Sequence, residues 1–178
     1  MIEVKHLTKK YASATAVNDV SFTVEPGKIY GFLGPNGAGK STTMNIIAGC
    51  LAPTDGQVLI NGYDITEEPE EAKRFIGYLP EIPPLYPDFT PLEYLTFVGK
   101  AKGLRGAELR SQLDYVIEAA CIGEMKNRLI KNLSKGYKQR VGIAQAMLGN
   151  PEIIILDEPT AQLDPIAVSY THLTLPTT

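Results

Sequence analysis

Eight residues, Gly34-Pro35-Asn36-Gly37-Ala38-Gly39-Lys40-Ser41, restrict what this 178-residue chain can fold into more than any other feature. They fit the pattern G-x-x-x-x-G-K-[ST]. In it the glycines let successive backbone N–H groups close around phosphate oxygens, while the lysine and the hydroxyl reach the terminal phosphates and a Mg²⁺ ion. Such a loop works between a strand and a helix. Lys28 to Leu33 reads as a buried strand entering it, and Ser41 to Ala48 reads as a helix whose positive N-terminal end faces the phosphates. The expectation is an α/β fold with a parallel-sheet core and a nucleotide phosphate site.

Further along, Ile153-Ile154-Ile155-Leu156 runs into Asp157-Glu158. An apolar run ending in carboxylates is the pattern of a fully buried parallel strand that delivers acid groups at its C-terminal end. Before it stands Asn132-Leu133-Ser134-Lys135-Gly136-Tyr137-Lys138-Gln139-Arg140, followed by Val141 to Leu148. Ser134 suits the N-cap of a helix carrying Val141, Ala144 and Leu148 on one face, so its hydroxyl and the nearby N–H groups form an anion site. Taken alone, this segment reads as an ordinary capped helix.

In series, the three segments resemble the nucleotide-binding motifs of the ATP-binding-cassette (ABC) proteins. The middle one resembles their LSGGQ signature. Lys135 and Tyr137 replace a Gly and the Gln, whereas Ser134 and Gly136 match the two positions that contact a γ-phosphate in the family. The resemblance implies ATP held by Gly34, Asn36, Gly37, Ala38, Gly39, Lys40, Ser41 and Thr42, with Mg²⁺ organised by Ser41 and Asp157. It also implies that Glu158 polarises the attacking water and that Lys40 serves catalysis as well as binding. Tyr11 resembles the aromatic that stacks on adenine, with Val17 as an apolar wall. Glu81, in Gly77-Tyr78-Leu79-Pro80-Glu81, stands where the Q-loop usually has Gln; a carboxylate there is able to approach Mg²⁺ or a water. Ala161-Gln162-Leu163-Asp164 resembles the D-loop, with Gln162 where the more usual Gly gives greater backbone freedom. Glu81, Pro83-Pro84-Leu85-Tyr86 and the Lys135/Tyr137 variants resemble the export-type (ABC-2) branch.

Composition narrows the partners. The chain is 44% hydrophobic and 21% charged, enough to bury a sizeable core, and its net charge of −3 carries no polybasic signal for nucleic acid or anionic lipid. Cys50 and Cys121 lack the spacing of a disulfide framework or metal site and fit reduced thiols. With no apolar stretch long enough to span a bilayer and no signal peptide, the expected location is the cytoplasm, peripheral on the inner face of the membrane. The resemblance implies two partners, a separate membrane permease and a second ATPase subunit in a head-to-tail nucleotide sandwich. A cassette acting on ribosomes or DNA would share the motifs but calls for basic surfaces absent here. A soluble P-loop kinase would need an acceptor site, and nothing between Glu81 and Leu133 offers one.

Organisation along the chain points to an insertion. Ile2 to Tyr11 and Ala16 to Val24 read as strands, and Asn61-Gly62 between Gln57–Ile60 and Tyr63–Ile65 is a hairpin signal, giving an N-terminal antiparallel subdomain. Thr90-Pro91-Leu92-Glu93 starts a helix with a capping box and proline at N1, with Leu92, Leu95 and Val98 on one face. Helical patterns continue through Ala107–Ala120 and Gly136–Leu148, so residues 82–148 form an expected helical subdomain inserted before the carboxylate strand. Residues 168–178 have no charge and no helical period and match a translated sequencing adapter, so they are set aside as a fusion scar. On that expectation residues 1–167 are a partial cassette that lacks its C-terminal part and the family's switch histidine, a role His172 does not take.

Overall fold

Ile2, Val4 and Leu7 turn inward from β1 (Ile2–Tyr11), a central strand of an antiparallel ladder in this computed structural model, which describes residues 1–159. The sheet runs in the order β2-β1-β3-β4, with β2 at Ala14–Val24, β3 at Asp55–Ile60 and β4 at Tyr63–Asp64. Ile2 sits opposite Val24 on one side and Ile60 on the other. Asn61 and Gly62, at φ 49° and 89°, make the turn between β3 and β4, as the expected hairpin requires. Helices α1 (Lys40–Ile47) and α2 (Pro69–Arg74) complete a first compact unit, residues 1–76.

The second unit begins at Gly77. Strand β5 (Ile76–Leu79) pairs with β6 (Ile153–Leu156), and the Asp157 N–H donates to the Leu79 carbonyl at 2.9 Å. That bond joins the C-terminal ends of both strands, which makes the pairing parallel. Between them come α3 (Pro91–Ala101), α4 (Gly106–Ala119) and α5 (Lys135–Met147). Leu95, Val116, Ile122, Ile130, Val141, Ala144 and Leu148 are almost wholly removed from solvent in one cluster, at roughly 1.5–3 kcal/mol for each larger side chain. A Cβ on Gly77 would lie 1.9 Å from the Ala146 carbonyl oxygen, so α5 rests directly on β5 at a residue without a side chain. At the start of α3 the capping box is complete. Thr90 Oγ1 accepts from the Glu93 N–H (3.2 Å) and Glu93 Oε2 accepts from the Thr90 N–H (2.8 Å).

Two expectations are corrected. Lys28 to Leu33 is irregular chain and not a buried strand, with Ile29 94% and Leu33 95% exposed. A strand exists through its ladder, and this segment has no ladder partner among the described residues; its Phe32 ring meets Phe22 edge-on at 5.2 Å. Strand β6 is half-buried along its length and not fully buried, because β5 is its one neighbour among the described residues. Neither β5 nor α2 was anticipated. β5 has four residues and α2 is Pro-Glu-Glu-Ala-Lys-Arg, with no apolar period to read. Asp164, Gln162, His172 and the segment 168–178 lie outside the described residues.

Candidate functional site

The phosphate-type loop owes its shape to two left-handed glycines. Gly37 has φ 81°, and Gly39, the N-cap of α1, has φ 82°, a region that other residues enter only with strain. A Cβ on Gly39 would fall 2.2 Å from the Ala16 carbonyl oxygen and 3.2 Å from Val17 Cγ2, so β2 lies directly behind the loop. Gly39, as N-cap, makes no side-chain capping bond, so the head of α1 presents backbone, the end of a helix that favours an anion. Thr43, 3% exposed, clamps the turn by donating its N–H (2.8 Å) and its Oγ1 (2.9 Å) to the Gly39 carbonyl. Lys40 Nζ donates to the carbonyls of Gly34 (2.8 Å) and Pro35 (2.9 Å), which holds its ammonium over the loop. Ser41 is exposed on the first turn, with Thr42 half-buried beside it.

The β1–β2 ladder links the proposed adenine contacts to this loop. Val17, buried against Gly39, stands opposite Lys9, and Lys9 Nζ lies 5.3 Å from the ring centroid of Tyr11, which is 48% exposed. Val17 therefore meets the loop within the first unit, while Tyr11 lies further along the same ladder, paired with Ala14.

The second unit carries the other expected residues. Ser134 caps α5, its Oγ accepting from the Tyr137 N–H at 3.3 Å, with Lys135 and Gly136 in the first turn. Asp157 is 4% exposed at the end of β6, while Glu158 is exposed and adopts φ 48°, a conformation uncommon for a residue with a Cβ. Glu81 is exposed after β5. The segment that follows it walls a cavity of about 180 Å³ together with α5, lined by Ile82, Leu85, Ile130, Lys138 and Gln139. Gln139 is 1% exposed, and neither end of its carboxamide has a partner among the described residues. Sequence reasoning passed over this residue. The available signal was periodicity, since residues 143 and 146, four and seven positions on, are both buried.

Electrostatic shifts gather on α3. Burial, and next the neighbouring Tyr86, push the Tyr94 phenol up to about 12, where its hydroxyl donates to Gln145 Oε1 at 2.6 Å. The Thr90 N–H and hydroxyl hold the Glu93 carboxyl below its ordinary range. No cluster of three His, Cys, Asp or Glu suited to a metal exists among the described residues. Ser41 in the first unit offers an exposed hydroxyl and Asp157 in the second a buried carboxylate, each an oxygen donor of the kind Mg²⁺ prefers.

Comparison with known proteins bears on the same segments. The family model described as ABC transporter matches residues 17–161. The probable multidrug ABC transporter ATP-binding protein YbhF of Escherichia coli is 39% identical over 166 residues, 93% of this chain and 29% of that protein. The linearmycin resistance ATP-binding protein LnrL of Bacillus subtilis is 38% identical over 165 residues, 93% of this chain and 53% of that protein. The chain thus spans about half or less of these relatives. Among solved structures, the dimeric post-hydrolysis state of the cassette MJ0796 bound to ADP and Pi has a TM-score of 0.86 at 31% identity, covering 95% of this chain and 78% of that one.

Proposed function

This chain belongs to the ABC transporter family as an ATP-binding cassette, and from that premise we propose that it binds ATP at the Gly34–Ser41 loop and hydrolyses it to drive a separate membrane permease. The observation that carries the proposal is the glycine-shaped loop at the head of α1, over which the Gly34 and Pro35 carbonyls hold the Lys40 ammonium. Lys40 leaves two backbone carbonyls for the β- and γ-phosphates, a favourable exchange because phosphate oxygens carry full charge. Tyr11 offers an exposed ring face to the adenine, with Val17 as the apolar floor.

Ser41 and Asp157 would hold Mg²⁺, and Glu81 would act on the same ion or on a water. Held there, Mg²⁺ would supply positive charge against that building on the phosphates during transfer. Glu158 takes the proton of the attacking water. Ser134 and Gly136 close on the γ-phosphate held by a second copy. The dimeric state of the MJ0796 cassette supports a pairing of two copies. ATP favours the closed pair and hydrolysis releases it.

We place residues 82–148 as a helical subdomain that meets the permease. Tyr86, Phe89 and Phe97 are exposed and in mutual ring contact at 5.4–6.4 Å, an apolar surface suited to a membrane protein's cytoplasmic segment. No described helix is long and apolar enough to cross a membrane; the proposed location, the inner membrane face, follows from the proposed permease partner. Export is the proposed direction, supported by similarity to a probable multidrug transporter protein and a resistance protein. The test is nucleotide binding by the full-length protein. Lys40→Ala should weaken ATP binding roughly 10- to 100-fold, the range of a charge-assisted hydrogen bond. Unchanged affinity would remove the loop from the site.

A further inference from the structure

Two side chains tie the first turn of α5 to its surroundings. The Tyr137 N–H donates to Ser134 Oγ, so the position of the capping hydroxyl depends on where Tyr137 sits. The Tyr137 ring is half-buried against the helical core, and the Arg140 guanidinium lies 5.5 Å from its centroid, within cation–π reach. Arg140 Nη1 also donates to the Cys121 carbonyl at 3.3 Å. Cys121 follows the C-cap of α4 and turns the chain at φ 51°. A guanidinium over the last carbonyls of a helix is favoured by hydrogen bonding and by the helix dipole. A continuous set of contacts therefore runs from the end of α4 through Arg140 and Tyr137 to Ser134.

We infer that Tyr137 and Arg140 are positioning residues that fix the Ser134–Gly136 turn, with the aromatic ring serving as the platform that holds the guanidinium. This gives the departure from glutamine at position 137 a physical role. A glutamine has no π-face, so it would leave Arg140 without the stacking surface that aims it at Cys121. The effect on dimer closure rests on the proposed meeting of this turn with a second copy's ATP. The effect on the turn itself does not.

Amide hydrogen exchange of the full-length protein, read over residues 134–138 and 143–147, tests the inference beside ATP-driven dimerisation. Tyr137→Phe should match the wild type, because the ring face remains. Tyr137→Leu and Arg140→Gln should each speed exchange at 134–138 roughly 3- to 10-fold and leave 143–147 and the ATP affinity of the separate subunit unchanged. They should raise the ATP concentration needed for dimerisation by a similar factor. Unchanged exchange at 134–138, loosening spread equally along α5, or a Tyr137→Phe defect as large as that of Tyr137→Leu would overturn the inference. Faster local exchange with unaltered dimerisation would support the positioning role and count against the proposed contact with a second copy.

Discussion

Gly39 carries more of the proposed site than any charged side chain, because it sets both the loop's curvature and its distance from β2. Alanine there would put a methyl 2.2 Å from the Ala16 carbonyl oxygen at φ 82°. Gly39→Ala should therefore destabilise the protein by about 1–3 kcal/mol, read as a lower midpoint in urea, and should weaken ATP binding with it. Glu158 acts on a different step. Glu158→Gln should spare nucleotide binding and cut turnover by about 100-fold or more, since an amide cannot accept the water's proton. Turnover at the wild-type rate would remove Glu158 from that role. The loop was legible in sequence because its glycines encode local backbone geometry. Gln139 was not, since whether a buried carboxamide finds partners depends on distant segments such as Ile82 and Ile130. The left-handed backbone of Glu158 likewise left no mark on its neighbours in sequence.

At the scale of elements, local chemistry was readable and ladder chemistry was not. Thr90-Pro91-Leu92-Glu93 announced α3, and both arms of its capping box are present. Thr90→Ala should cost about 1 kcal/mol in thermal or chemical unfolding. The cap also predicts a pH response. The Thr90 N–H and hydroxyl lower the Glu93 carboxyl from its ordinary 4.5. Its contribution is therefore complete above 4.5 and is lost as pH falls through the lower folded value. Melting temperatures of the wild type and Glu93→Gln, compared from neutral to acid pH, should differ most near neutrality and converge in acid; a constant gap would discount the carboxylate. Lys28 to Leu33 has the apolar content of a strand yet forms none, because pairing partners are a tertiary property that a six-residue segment cannot announce. The hairpin at Asn61-Gly62 succeeded for the opposite reason, its register being set by its own turn.

For the whole molecule, ATP is the proposed ligand that joins two copies, with Ser134 and Gly136 of each reaching the phosphates held by the other. Size under controlled nucleotide is the direct test. In the full-length protein carrying Glu158→Gln, sedimentation with saturating ATP should show the mass double, ADP should leave a monomer, and adding Ser134→Ala should raise the ATP needed for association several-fold. A protein that saturates with ATP while its mass stays at one copy would contradict the account.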